Sequence, residues 1–404
     1  MSGEIAILHR GIMKQRIFCA AGPGNVIQAH KYWAKGQHFP GEVSITFSSQ
    51  FEEFCKNIGA EAYLVSYHNQ ADIYQDGPFT LEHRPKPMRG ASGIGYHLAE
   101  IFYGFGLLKT AVQFRATVAV LESGSSHYFI LGLFRLAGIK IVTVLHNTLW
   151  PSGFPPTRLI PRMIARLDSL YFRWASAVTI GVSPECVRQL EQLTKGKHKE
   201  VDQIRAQFLP EYFQTIPSPP PHSRKPFRIM YIGRINRIKG VFDMLEMAEK
   251  LESQVPGRVR WEVCGSGPDL DELRRRQVQM GLAEVVTIRG WTPLSDLRDV
   301  YARSHVSIVP TRDSFSEGLA MTAAEAILAG RPVITNPVVP ALEVLRPACV
   351  EAQTNDVDSY VTAILKLIDN PSQYKALCDA CPALRDQFYD RQQGLTAVLK
   401  KAIC

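Results

Sequence analysis

Val306-Ser307-Ile308-Val309 is soon followed by Ser314-Phe315-Ser316-Glu317-Gly318-Leu319-Ala320-Met321-Thr322-Ala323-Ala324-Glu325-Ala326. A β-branched run, a polar break and an alanine-rich segment read as a strand, a loop and a helix. Ser314 or Ser316 is suited to cap that helix. The small residues after Glu317 let a ligand come close to the backbone, where free N–H groups and the helix dipole favour a phosphate. Glu317 and Glu325 stand eight residues apart, roughly 12 Å along a helix. The plain alternative is an amphipathic helix carrying two solvated glutamates.

The same rhythm extends in both directions. Arg228–Ile232, Arg258–Cys264, Val285–Arg289 and Pro332–Thr335 read as further strands with helices between them. Upstream, Arg16–Ala20, Val43–Phe47, Glu61–Ser66, Thr117–Leu121, Lys140–Leu145 and Ser176–Gly181 read as strands of a second βαβα series. Alternation of this kind predicts α/β architecture, with mainly parallel sheets covered on both faces. Pro217-Ser218-Pro219-Pro220-Pro221 is a stiff stretch that can join neither sheet. The expected organisation is residues 1–212, a Pro-rich linker 213–226, and residues 227–404. The last helix is a candidate to pack back on the first domain. Two doubly wound, Rossmann-like domains would then face each other across a cleft, with ligands at the carboxyl ends of the strands.

Composition agrees with this size. The 404 residues are 46% hydrophobic, enough for two ordinary cores and far from disordered or collagen-like classes. Arg10, Lys14 and Arg16 interrupt the apolar runs at the start, so no signal peptide is expected there. Tyr128–Ile139 is the nearest approach to a membrane span, but it is short and contains Arg135; a buried helix is the better reading. Eight scattered cysteines include one C-x-x-C, Cys378 and Cys381, with no second pair to complete a zinc site. Reduced thiols and a cytoplasmic location are expected, at most peripheral to a membrane. The net charge is +8, and residues 1–216 hold 22 Lys/Arg against 16 Asp/Glu. The excess suits an acidic partner without identifying one.

Gly233-Arg234-Ile235-Asn236-Arg237-Ile238-Lys239-Gly240 follows the first strand of the second half. Its cations stand beside the start of a helix, where they can neutralise a diphosphate; a solvated basic loop is the bland reading. Taken with Val263-Cys264-Gly265-Ser266-Gly267-Pro268 and the E-G-x-x-x-x-x-x-E spacing of Glu317, Gly318 and Glu325, this series resembles the family 4 retaining glycosyltransferases (glycosyl transferases group 1) of the GT-B fold. The match is strong over about 227–370 and weak before it. It implies that Gly233, Arg234, Lys239 and Gly265 hold a nucleotide diphosphate sugar. Glu317 would meet the sugar, Glu325 the ribose, and the amides of Gly318, Leu319, Ala320 and Met321 the phosphates. The usual E-G-F-G form is altered here, with Leu319-Ala320 in place of Phe-Gly; alanine reads as a mild change.

In the first half, Gly22-Pro23-Gly24 and Asn25 follow the first strand and resemble the family's Gly-rich loop. His146 and Asn147 end the strand Lys140–Leu145, which points them at the cleft; the family keeps a histidine there beside the donor sugar. His146, Arg234, Lys239 and Glu317 are therefore the expected catalytic set, and Asn25 and Asn147 the expected acceptor contacts. Asp269-Leu270-Asp271 and Asp356-Val357-Asp358 are D-x-D triplets, read here as acids complementing helix starts and not as metal ligands. Thr157–Ala175 reads as a helix with Arg158, Arg162 and Arg166 at i, i+4 and i+8. This stripe fits an anionic lipid surface or an acidic acceptor, or simply a surface helix.

The expected activity is transfer of a sugar from a nucleotide diphosphate sugar to an acceptor, with retention and with neither metal nor resident cofactor. These residues do not identify the acceptor: a lipid-linked glycan, a polysaccharide and a small molecule all stand open, the basic surplus suggesting an anionic or lipid-linked one, and no nucleic-acid partner is expected. A catalytically silent nucleotide-sugar-binding subunit or an epimerase of the same fold is the alternative. A dinucleotide-dependent oxidoreductase is disfavoured, since Gly22-Pro23-Gly24 continues without the third glycine of that fingerprint.

Overall fold

The computed structural model describes residues 15–88, 90 and 92–404. Most of the stretch on which the signal-peptide reading rests lies outside the described residues. Two sheets organise the chain. The first contains β1 (Arg16–Pro23), β2 (Glu61–Tyr67), β3 (Asp72–Asp76), β4 (Phe79–Arg84), β5 (Val118–Glu122), β6 (Lys140–Leu145), β7 (Ser176–Gly181) and β8 (Glu200–Gln203). Their order is β3-β4-β2-β1-β5-β6-β7-β8, parallel except for β3 against β4. The second contains β9 (Phe227–Ile232), β10 (Val259–Cys264), β11 (Val286–Gly290), β12 (Val306–Val309), β13 (Val333–Thr335) and β14 (Cys349–Glu351). Its order is β11-β10-β9-β12-β13-β14, parallel throughout.

The central strands are hydrophobic on both faces because helices cover both faces. β5 and β12 are buried along their whole length. Each sheet has its own core, around Phe18, Leu64 and Phe134 in the first and Phe227, Trp261 and Ile364 in the second. Leu395, Val398 and Leu399 of the terminal helix Leu395–Ile403 belong to the first core, so the chain returns to its starting domain.

The two domain crossings run side by side. Arg205 N–H donates to Gln393 O at 2.8 Å, and Phe208 N–H to Phe388 O at 3.1 Å. The crossing precedes the proline stretch, which lies on the C-terminal domain. There Arg331 Nη1 donates to Pro217 O (2.8 Å) and the Tyr374 hydroxyl to Pro220 O (2.9 Å).

One expected strand is absent. Val43–Phe47 makes only a single bridge, Ser44 to Phe208. Thr46 instead caps the helix Phe47–Asn57 by accepting from Ser49 N–H at 3.1 Å. Local capping outcompetes β-propensity there, and residues 39–46 become a loop over the cleft. The apolar run Tyr128–Ile139 forms two short helices, Tyr128–Leu131 and Leu133–Leu136, which bury Leu131 and Phe134. Among the described residues no helix is long and apolar enough to cross a membrane. All eight cysteines are free thiols.

Candidate active site

The carboxyl edges of the two sheets face each other. Between them lies a cavity of about 390 Å³, lined from the first domain by Gly22, Gly24, Asn25, His146 and Asn147, and from the second by Glu317, Gly318, Leu319, Ala320 and Met321. Beside it, a second cavity of about 370 Å³ gathers Gly233, Arg234 and Gly265 with Ser266, Trp291 and Thr292. Residues far apart in sequence are thus brought to one cleft. Parallel strands send their loops out at the same edge.

The floor of the cleft is held by very close backbone approaches. A Cβ on Gly318 would stand 1.8 Å from the carbonyl oxygen of His146, and one on Gly265 1.8 Å from that of Gly233. No side chain fits at either place. The contact at Gly318 joins the two domains, and Thr148 N–H donates to Glu317 O (3.4 Å) alongside it.

Glu317 is buried, and its Oε2 accepts from Lys239 Nζ at 2.5 Å and from Thr311 Oγ1 at 3.1 Å. The Lys239 ammonium also sits 4.0 Å from the centre of the Phe315 ring. Arg234 is exposed at the rim of the second cavity. Arg237 is turned away: its N–H donates to Asp269 Oδ2 at 2.7 Å. That bond, reinforced by the guanidinium, holds the Asp269 carboxyl below its usual range.

The helix Met321–Leu328 starts later than its sequence implies, and neither Ser314 nor Ser316 caps it: its N-cap is Ala320, with no side-chain cap bond. Ala320 takes a left-handed conformation, φ 71°, where glycine is the usual occupant. The substitution that reads as mild in sequence is strained in the fold. Among the described residues the N–H groups of Leu319, Ala320 and Met321 make no hydrogen bond, so they are free to meet an anion. Glu325 lies one helix turn and more below, outside both cavity linings. Its Oε2 accepts from the Tyr301 hydroxyl at 3.1 Å. Burial pushes the Glu325 carboxyl up to about 7; the Tyr301 bond opposes this, and the negative charge of Glu42 on the facing loop adds to it.

On the opposite wall, His146 Nε2 lies 3.1 Å from Glu122 Oε2, and the Phe47 ring packs on the imidazole with centroids 4.2 Å apart. Glu122, buried at the end of β5, also accepts from Gly22 N–H at 3.4 Å, so one carboxylate stands between the Gly-rich loop and His146, whose ring nitrogens have no hydrogen-bond partner among the described residues. Asn25 spends its carboxamide oxygen on capping the helix Val26–Trp33, accepting from Gln28 N–H at 3.0 Å. Asn147 stays exposed in the cavity wall. The D-x-D carboxylates serve local structure: Asp356 caps its helix through Ser359 N–H, and Asp358 pairs with Lys250.

Sequence reasoning missed Glu122, Phe47, Trp291 and Tyr301. A signal existed for Glu122, because it ends a β-branched run at the edge where ligands bind. None existed for the aromatic residues, whose neighbours come from other elements.

Two Rossmann-like domains with facing carboxyl edges define the GT-B class of fold, and solved structures agree. The chain superposes on sucrose-phosphate synthase from Thermosynechococcus elongatus with a TM-score of 0.68, at 15% identity, over 96% of this chain and 98% of that one. It superposes on Anabaena HepE in complex with UDP and glucose with a TM-score of 0.63, at 15% identity and the same coverage. The C-terminal half is placed more narrowly: residues 226–370 match the family described as Glycosyl transferases group 1 and form a domain of that kind. A D-inositol 3-phosphate glycosyltransferase of Catenulispora acidiphila is 27% identical over 162 residues, 37% of this chain and 38% of that protein. The matched stretches span between 21% and 52% of the length of the curated relatives.

Proposed function

We propose that the protein is a retaining, family 4 type glycosyltransferase that moves a sugar from a nucleotide diphosphate sugar to an acceptor bound by the N-terminal domain. The observation that carries this is the grouping, around one cleft, of the free amides at Leu319–Met321, the Lys239–Glu317 pair and Arg234. That grouping can bind a diphosphate and stabilise it as it departs.

In this reading the base and ribose lie toward the second cavity, where Trp291 offers an exposed ring; the Glu325 carboxylate lies behind the cavity linings and meets the ribose hydroxyls only if donor binding opens the contact it makes with Tyr301. The diphosphate meets Arg234, Lys239 and the helix amides. Charge grows on its β-phosphate as the glycosidic bond breaks, and fixed donors in a closed cleft stabilise that charge without reorganising. Glu317, released from Lys239, accepts from sugar hydroxyls. His146 lies beside the sugar, its ring placed by Glu122 and Phe47. Among the described residues no side chain stands out as a covalent nucleophile; the family resemblance favours attack on the leaving-group face, with a donor phosphate oxygen taking the acceptor's proton. The cations and amides meet the diphosphate's charge, so the reading requires no divalent ion. The relatives supporting it act on different acceptors, and the acceptor here is left as an alcohol.

The test is a thermal-shift panel of UDP-, GDP-, ADP- and dTDP-sugars, followed by sugar-transfer assays with the donor that stabilises. Stabilisation by one donor class is the expected result. No shift with any would overturn the donor site, and loss of transfer in a chelator would overturn the metal-independent part.

A further inference from the structure

The helix Leu159–Leu170 buries none of its twelve side chains. Leu159, Met163, Leu167 and Leu170 recur along one line of it and are all exposed, Leu159 by 73%. Arg158, Arg162 and Arg166 run along the adjacent line, equally exposed. Among the described residues no carboxylate pairs with these three arginines. Such a helix is poorly suited to water, since its apolar stripe finds no core and its cations find no partner.

The surface continues onto neighbouring helices. The crossovers β4 to β5, β5 to β6 and β6 to β7 all step the same way along the sheet, so right-handed connection puts their helices on one face. The first of these, Ile94–Gln113, exposes Ile94, Phe102, Phe105 and Val112. It and the helix Leu159–Leu170 both pack against Tyr128–Leu131. Charge on this region has one sign outward. Residues 85–175 contain ten Lys/Arg and three Asp/Glu. Each of the three acids is engaged inside: Glu100 with Lys86 at 2.7 Å, Glu122 beside His146, and Asp168 accepting from Phe129 N–H at 3.0 Å. What these helices turn to solvent is apolar and positive, while the next helix on this face, Pro184–Thr194, adds an exposed Glu191.

We propose that this face of the N-terminal domain docks on an anionic membrane, with the leucines of Leu159–Leu170 at the acyl boundary and Arg158, Arg162 and Arg166 on lipid phosphates. An interfacial helix needs this pairing of an apolar stripe with flanking cations. Both exposed helices begin at the carboxyl edge of the sheet, so the cleft opens beside the docked face. The inference does not rest on the transferase reading.

The test is co-sedimentation of the full chain with vesicles of phosphatidylcholine alone or mixed with phosphatidylglycerol, with no sugar nucleotide present. Binding to the anionic vesicles is expected to be at least about tenfold tighter and to weaken with salt. The triple variant Arg158→Glu, Arg162→Glu, Arg166→Glu and the double variant Leu159→Asp, Met163→Asp should each lose about tenfold or more while unfolding at the wild-type temperature. These substitutions sit on exposed positions, so folding is preserved and the comparison stays readable. Failure of the wild-type chain to sediment, or equal sedimentation of the arginine variant, overturns the proposal. So does a concentration-dependent dimer that Met163→Asp dissolves without vesicle binding, which would give the face to a second copy. Vesicle binding is read without any donor, so its outcome is separate from that of the donor panel.

Discussion

Gly318 of the C-terminal domain lies so close to the carbonyl of His146 of the N-terminal domain that a methyl group has no room between them. The cleft can close only because position 318 has no side chain. Gly318→Ala should therefore hold the domains apart, and a misplacement of about 1 Å costs on the order of 100-fold in rate. Transfer assays should show that loss while circular dichroism stays unchanged. Wild-type turnover would mean that this contact does not shape the active state.

Lys239 and Glu317 are each other's partners, and the proposed reading has the donor separate them. Lys239→Met leaves a buried carboxylate with only the Thr311 hydroxyl, and a lost partner of this kind costs about 1–3 kcal/mol. Unfolding should begin earlier by the corresponding few degrees. Donor affinity should fall at least about tenfold, because a charge-assisted contact to phosphate is removed. Titration calorimetry with the donor identified by the panel measures this directly.

If Glu325 meets the ribose as proposed, donor binding should be sensitive to pH. Its carboxyl is pushed up to about 7, so it is largely protonated in mildly acidic solution. Ribose hydroxyls donate best to the ionised form. Affinity should rise about tenfold between roughly pH 6 and 8, the change in ionised fraction across such a value. Glu325→Gln should flatten the profile. Glu42→Gln should move its midpoint to lower pH, since the facing charge is gone. Stability has the opposite sign. A carboxyl raised in the folded state binds its proton more tightly than the unfolded chain does, so its contribution declines as pH rises from about 4 to 7. Urea titrations of Glu325→Gln should lack that decline.

Ala320 carries backbone strain that glycine would release. A non-glycine residue in the left-handed region costs about 1–2 kcal/mol, and glycine gives back up to about 1 kcal/mol through the unfolded chain. Ala320→Gly should be stabilising by up to about 1 kcal/mol in thermal unfolding. A destabilised variant would show that the alanine methyl contributes more packing than it costs in strain.

Sequence alone determined the two βαβα series, because fully buried parallel strands must be nearly all apolar and the helices between them periodic. It also picked out Glu317, Gly318, Lys239 and Gly265, since each lies in a short local pattern at a strand end. It misread Val43–Phe47, where Thr46 starts a helix inside a β-branched run, and it judged Ala320 by volume when its cost lies in φ. Glu122 beside His146, Glu42 facing Glu325 and the carbonyl against Gly318 were decided only by tertiary structure. Each is a contact between elements distant in the chain, and such contacts follow from how the strands order and how the two domains meet. The exposed arginine and leucine lines of residues 158–170 divide the same way. Their spacing was readable as a helix, but only packing of the whole domain showed that none of the described residues covers them.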